Sequence, residues 1–273
     1  MLNSFIKYIV LIFFISSSAF AHSPKIFAHR GGGKEFPENT ILAFEESIKA
    51  GADGIELDVQ VTKDKLVVLY HPRYINEKAA VSDFNYVALQ KINPQIPTLE
   101  EVIDKFPNAE IIVDLKSLPK EDLIDSVIKL VDKKNAWSRL IFYSTNDEHI
   151  EYLKQKKPNA MVFESRKLTR ERLLKMRNED TCCCIDKTSQ YAGFELNREM
   201  IVEESFVLGK SNNKISFKLW DPKAMQCFNN SLQNPARIFL FGINNKKDYE
   251  EAKDLGAYAV FTDRPKALIE LIK

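Results

Sequence analysis

The sequence predicts an α/β protein of the closed (β/α)8 barrel class, and three observations carry that prediction. Short β-rich runs alternate with amphipathic helical stretches from residue 26 onward, the pattern of a parallel sheet with helical crossovers. About eight such units fit into roughly 250 residues, which suits a barrel better than an open sheet. No Gly/Ser/Pro-rich linker, low-complexity run or internal repeat divides the 273-residue chain, so a single domain is expected over 22–273.

The predicted strands are 26–29, 54–61, 66–71, 110–115, 140–144, 160–164, 237–243 and 257–262, with 182–186 and 192–196 competing for one further place. Helical periodicity marks 40–50, 118–132, 147–156 and 247–255. Local chemistry sets several boundaries. Asn39-Thr40 can cap the first helix, and Thr62-Lys63-Asp64-Lys65 reads as a hairpin turn that folds 66–71 back on the preceding strand. Thr98 with Glu101 three residues on forms a capping box. The stretch 197–235 gives no clear unit, and 214–220 reads as a strand that an eight-unit count does not need.

At the N-terminus, Lys7 precedes the apolar run 8–15 and then Ser16-Ser17-Ser18-Ala19-Phe20-Ala21. This is the pattern of a secretory signal over 1–21, cleaved before His22; the apolar run is too short to span a bilayer comfortably. An exported protein, periplasmic or secreted, with no stable membrane insertion after cleavage is expected. The whole chain holds 39 basic and 38 acidic side chains. Loss of 1–21 removes Lys7 and no acid, leaving 38 of each, so the charge gives no sign of nucleic-acid binding. Cys182, Cys183, Cys184 and Cys227 lack zinc-site spacing. They read as small buried hydrophobes in a strand, although export would permit a bridge.

The informative segments end strands with polar groups. Ile26-Phe27-Ala28-His29 runs into Arg30 and three glycines, whose freedom would let backbone N–H groups approach a ligand. Glu56 and Asp58 lie two apart and share one strand face, opposite Ile55, Leu57 and Val59. Two carboxylates turned into a barrel repel each other unless a cation sits between them; on an edge strand they would be a solvated face. Asp114 and Lys116 repeat the arrangement, and His71 ends the run that follows the hairpin. At barrel strand ends, such a set has a coherent chemistry. A hard cation on Glu56, Asp58 and Asp114 polarises a phosphoryl oxygen. Arg30 and Lys116 balance phosphoryl charge, and His29 and His71 serve as acid and base.

With these residues in view, the chain resembles the glycerophosphodiester phosphodiesterase family. The resemblance rests on Ala28-His29-Arg30-Gly31, Pro37-Glu38-Asn39-Thr40, Ala43-Phe44, the run from Gly51 to Val59, Thr62-Lys63-Asp64 and His71, and on Gly256 to Pro265 near the end. It covers residues 26–116 and 237–265 and implies a barrel with a small insertion after the second strand. It implies hydrolysis of glycerophosphodiesters to glycerol 3-phosphate and an alcohol with Ca²⁺ or Mg²⁺. By the same resemblance, His29 and His71 match the acid/base pair, Glu56 and Asp58 two metal ligands, Arg30 the phosphate-contacting arginine, and Lys116 the third-strand base. The third ligand, usually Glu, is Asp114. Pro72 replaces the usual acid after the second histidine, and Phe241-Gly242-Ile243-Asn244 stands where a tryptophan is common. Phe241 and Glu195 are candidate pocket residues, Glu195 either entering the pocket or capping a strand. Two other readings share the pattern: a sphingomyelinase D-like or phospholipase D-like enzyme on sphingomyelin or lysophospholipid, and a catalytically weak phosphodiester-binding barrel.

Overall fold

The computed structural model describes residues 22–76, 78–182, 189–206 and 209–273. The segment 1–21, residues 183–186 of one candidate strand, and Cys183 and Cys184 lie outside them. The order begins β1 (Lys25–His29), α1 (Ile41–Ala50), β2 (Gly54–Val61), β3 (Val67–Leu69), α2 (Tyr86–Ile92), α3 (Leu99–Lys105), β4 (Glu110–Leu115). Next come α4 (Lys120–Lys134), β5 (Leu140–Tyr143), α5 (Asp147–Lys156), α6 (Arg166–Glu179) and β6 (Tyr191–Glu195). The chain continues through β7 (Asn197–Phe206), β8 (Gly209–Lys218), α7 (Pro222–Ser231), β9 (Arg237–Phe241), α8 (Lys246–Asp254), β10 (Ala259–Thr262) and α9 (Pro265–Ile272).

Seven strands pair in parallel in the order β5-β4-β2-β1-β10-β9-β6. The segment 160–164 supplies the eighth stave. Val162 bridges Phe142 and Phe163 bridges Tyr191, both parallel, which closes the ring between β5 and β6. The competition for the sixth place is settled by Tyr191–Glu195. After the Thr62–Lys65 turn, β3 pairs antiparallel with β2, Val61 opposite Val67. Residues 62–98 thus form an excursion between β2 and α3, with the capping box of α3 in place: Thr98 Oγ1 accepts from the Glu101 N–H and Glu101 Oε2 from the Thr98 N–H. The uninterpreted 197–235 stretch is an antiparallel hairpin, β7 with β8, followed by α7.

Strand periodicity sorts the side chains. Ile55, Leu57, Val59, Ile111 and Val113 face the helices and are buried among them. Ile26, Ala28, Phe194, Ile238 and Leu240 do the same on the other side. Inward residues change character along the barrel. Phe27, Ile112, Ile141, Phe163, Tyr191 and Phe239 fill the interior, with Phe27 and Phe163 set edge-on against Phe239 at 5.2 and 5.1 Å. Beyond them, toward the C-terminal strand ends, the inward positions become His29, Glu56, Asp58, Asp114 and Glu195. Gly193 is needed at this transition, since a Cβ there would lie 2.5 Å from the Phe241 ring.

The cysteines depart from expectation. Cys182 is bridged to Cys227, joining the segment after α6 to α7, so these two are a cross-link rather than hydrophobes of a strand. With a sequence separation of 45, loop closure in the unfolded chain makes the bridge worth about 4 kcal/mol. Urea unfolding of Cys182→Ser, or of the wild type under reductant, is expected to show a loss of that order. An unchanged midpoint would show that the bridge does not constrain the unfolded chain.

Candidate active site

The turn after β1 places the first histidine. Gly31 and Gly32 adopt positive φ, and their N–H groups, with that of Gly33, bond back to the Ala28 and His29 carbonyls. The expected role of these N–H groups in approaching a ligand is therefore not met: they are spent on the turn. A Cβ at Gly31 would meet Ala43 at 2.7 Å, and one at Gly32 would meet Pro265 at 2.7 Å, so the glycines let α1 and α9 close on the mouth. Arg30 also has positive φ, at 53°, a conformation costing a residue with a Cβ roughly 1–3 kcal/mol. In that conformation its N–H donates to Glu56 Oε2 at 3.0 Å, and its side chain turns toward Asp58 and Glu38.

Glu56, Asp58 and Asp114 converge so that one oxygen of each lies within 4.8 Å of the others, and all three are buried. Lys116 Nζ stands 2.6 Å from Asp114 and 3.3 Å from Asp58, while Arg30 Nε is 3.2 Å from Asp58. Asn39 serves this cluster instead of capping α1. Its Nδ2 donates to Asp58 Oδ2 at 2.9 Å and its Oδ1 accepts from the Asp58 N–H at 3.0 Å, leaving Thr40 alone as the cap. Asp114 Oδ1 is buried without a hydrogen bond. An orphaned carboxylate oxygen facing two other acids fits a hard divalent cation, which Glu56, Asp58 and Asp114 would hold.

The histidines flank this cluster. His29 Nδ1 lies 2.6 Å from Asp263 Oδ1, its Nε2 lies 3.9 Å from Glu56, and its ring stacks on Phe261. Burial works against its cationic form, but Glu56 and Asp263 outweigh it and raise His29 above the ordinary value. Asp263 in turn is held far below the carboxylate range, first by that hydrogen bond. Asn244 fixes Asp263, accepting from its N–H at 2.8 Å and donating to Oδ2 at 3.2 Å. His71, lowered by burial with Arg30 and Lys116 adding to it, has Glu38 at 3.8 Å. At that distance Glu38, which also accepts from Arg30 at 3.0 Å, is an electrostatic neighbour of His71 and not a hydrogen-bond partner. Gln60 donates to the carbonyls on either side of His71, Tyr70 at 2.8 Å and Pro72 at 2.7 Å.

The remaining candidates also lie at this mouth. A cavity of about 350 Å³ is lined by His29, Glu56, Asp114, Arg166, Glu195 and Phe241, among others. Glu195 therefore enters the pocket, paired with Arg166 at 2.5 Å, and Phe241 stacks on Phe261 with centroids 4.5 Å apart. Sequence reasoning missed Gln60, Arg166 and the role of Asp263. Gln60 shares its strand face with Glu56 and Asp58, which could have flagged it. Asp263 was visible only as part of the closing-strand match, and nothing local marks Arg166. His149, buried between Ser144 and the Ser117 carbonyl, is structural.

A buried acidic triad with two imidazoles and fixed positive charge near it, at the C-terminal end of a (β/α)8 barrel, suits a phosphoric diester hydrolase. The chain belongs to the glycerophosphoryl diester phosphodiesterase family, whose model matches residues 29–267. It is 33% identical over 268 residues to the Mycobacterium tuberculosis protein Rv2277c, covering 89% of this chain and 88% of that protein. The solved glycerophosphoryl diester phosphodiesterase domain of Rv2277c superposes with a TM-score of 0.78 at 30% identity, covering 92% of this chain and 100% of the domain. The human lysophospholipase D GDPD1 is 27% identical over 277 residues, covering 91% of this chain and 86% of the human protein. The glycerophosphodiester phosphodiesterase of Caldanaerobacter subterraneus subsp. tengcongensis is 26% identical over 269 residues, with 91% and 97% covered.

Burial, with Asp58 adding to it, lifts Glu56 from its ordinary 4.5 to about 7 and Asp114 from 3.8 to about 8. Folding thus favours their protonated forms. That contribution is fully present below the ordinary values and is lost as pH rises through 7 and 8. For these two acids, the thermal midpoint of the metal-stripped protein should fall from about pH 5 to about pH 8.5. Added Ca²⁺ or Mg²⁺ should raise it far more at the higher pH, because the cation needs the ionised acids. An equal response at both pH values would argue against a cation on these carboxylates.

Proposed function

We propose that this chain hydrolyses glycerophosphodiesters to glycerol 3-phosphate and an alcohol, using Ca²⁺ or Mg²⁺ on Glu56, Asp58 and Asp114 and acid/base catalysis by His29 and His71. The observation that carries this reading is the pair of independently positioned imidazoles at the mouth that holds one buried acidic triad, in a chain of this family. When bound, the cation supplies Lewis-acid polarisation of a phosphoryl oxygen. Arg30 and Lys116 then neutralise charge gathering on the phosphoryl group. Asp263 on Nδ1 fixes the His29 ring with Nε2 toward the triad. Gln60 braces the loop that carries His71 through the Tyr70 and Pro72 carbonyls, with Glu38 3.8 Å from the imidazole. One imidazole takes a proton from the attacking oxygen, that of water or of the substrate's own glycerol hydroxyl, while the other delivers one to the departing ester oxygen; after attack by the glycerol hydroxyl, water then opens the cyclic phosphate to glycerol 3-phosphate.

We further propose, from the pattern of residues 1–21, that the protein works outside the cytoplasm, periplasmic or secreted, after cleavage of that segment. The Cys182–Cys227 bridge supports an oxidising compartment. Among the described residues no helix is long and apolar enough to cross a membrane. A second reading, action on lysophospholipid, is favoured by the human relative's name and by Tyr74 and Leu118. These two are 44% and 50% exposed and line the cavity that contains His71.

The test is a panel of glycerophosphocholine, lysophosphatidylcholine and sphingomyelin, assayed with EDTA and with Ca²⁺ or Mg²⁺ restored. Turnover of the first, abolished by EDTA and recovered with cation, is the expected result. His29→Ala and His71→Ala should each lose about 10²–10⁴-fold in kcat with cooperative unfolding retained. Undiminished hydrolysis by His29→Ala would sink the mechanism. Gln60→Ala should lower kcat more than it raises KM, since it frees the His71 loop; kcat equal to wild type would deny it that part.

A further inference from the structure

Resting on the phosphodiesterase reading, we propose that Arg166 and Glu195 form a subsite for the free glycerol hydroxyls of the substrate. The mouth of the barrel opens on two cavities that share Thr145. One, of about 350 Å³, contains His29, Arg166, Glu195 and an aromatic wall of Phe241 and Phe261. The other, of about 300 Å³, contains His71, Lys116, Tyr74 and Leu118. A phosphodiester has two ester arms, and a phosphate at the acidic triad directs one into each cavity.

The first cavity is built for a neutral, hydroxyl-bearing arm. Arg166 is the first residue of α6, where the helix dipole disfavours a cation. It is held there by Glu195 Oε1 at 2.5 Å, by the Tyr143 hydroxyl at 3.3 Å and by stacking over Phe194 at 4.4 Å. A guanidinium carries five N–H donors, so Arg166 keeps donors beyond these two bonds, and Glu195 supplies acceptors beside them. Charge narrows the choice of arm: an arm of either sign meets the like-charged member of the Arg166–Glu195 pair as well as the opposite one, whereas a neutral arm breaks neither contact. An acyl chain would strip water from the ion pair with nothing in return. A vicinal diol can accept from Arg166 and donate to Glu195 while its carbons lie on the Phe241–Phe261 face. Arg198 also reaches Glu195, at 3.3 Å, but does not line the cavity.

The test measures binding of glycerol 3-phosphate, ethyl phosphate, phosphoglycolate and myo-inositol 1-phosphate to the Ca²⁺-loaded wild type, Glu195→Gln and Arg166→Met. The four probes share the phosphate and differ in the arm. The wild type should bind glycerol 3-phosphate about tenfold or more tighter than ethyl phosphate, the scale of hydrogen bonds to charged groups. Both variants should lose that gap while binding ethyl phosphate within about twofold of wild type. A gap absent from the wild type, or kept in both variants, overturns the proposal. So does tightest binding by phosphoglycolate, which makes this an anion site, or by inositol phosphate, which gives the cavity to a head group. Glu195→Gln is nearly isosteric and keeps the subsite testable if Arg166→Met fails to fold. Because the readout is binding, a wild type that hydrolyses diesters but shows no gap refutes the subsite alone, whereas one that turns over no diester strikes the parent reading.

Discussion

Three carboxylates that would separate in water are held together inside this barrel, and the rest of the mouth is arranged around their mutual repulsion. Burial alone would drive Glu56 and Asp114 to take up protons. The surrounding structure counters with Lys116 across Asp114 and Asp58, the Arg30 side chain on Asp58 and the Arg30 N–H on Glu56. Even the strained backbone of Arg30 belongs to this balance, since its left-handed conformation aims both groups at acids at once. The glycine turn behind it permits that geometry by letting two helices press close. Fold and site are therefore not separable here: the tight packing that makes a barrel interior also makes the acids costly to ionise without a cation.

Much of this was legible in the chain because it is written locally. Period-two spacing puts Glu56 and Asp58 on one face whatever the partner strands do, and Thr98 with Glu101 forms its capping box within four residues. The hairpin turn at Thr62–Lys65 likewise depends on nothing distant. What stayed hidden depends on closure. Asp263 meets His29 across 234 positions of sequence, and only the parallel pairing of β1 with β10 makes them neighbours. Arg166 is one of many basic residues in a polar helix until the barrel closes Glu195 onto it.

Where the local reading erred, a polar group had two uses and the distant one won. Asn39 is a good cap by composition, yet the buried Asp58 offers it two hydrogen bonds in a water-poor setting, and Thr40 is left as the cap. The three glycines look like a ligand cradle, but their N–H groups are consumed by the turn that brings α1 and α9 together. The cysteines read as core because oxidation state is invisible in sequence; the bridge needs the segment after α6 to lie against α7, which no local signal reports.

The two-bridge stave at 160–164 divides the barrel into unequal halves. The first three parallel strands and the residues that follow them carry the triad, Arg30 and Lys116, and a substitution at any of these disturbs several charges together. Past that stave lie Arg166 and Glu195, in a half that also carries the buried Arg172–Glu164 ion pair and the Asp263 carboxylate that holds His29. Redesign of the pocket at Arg166 and Glu195 therefore has to leave the loops after β9 and β10 alone, because Asn244 and Asp263 there hold His29.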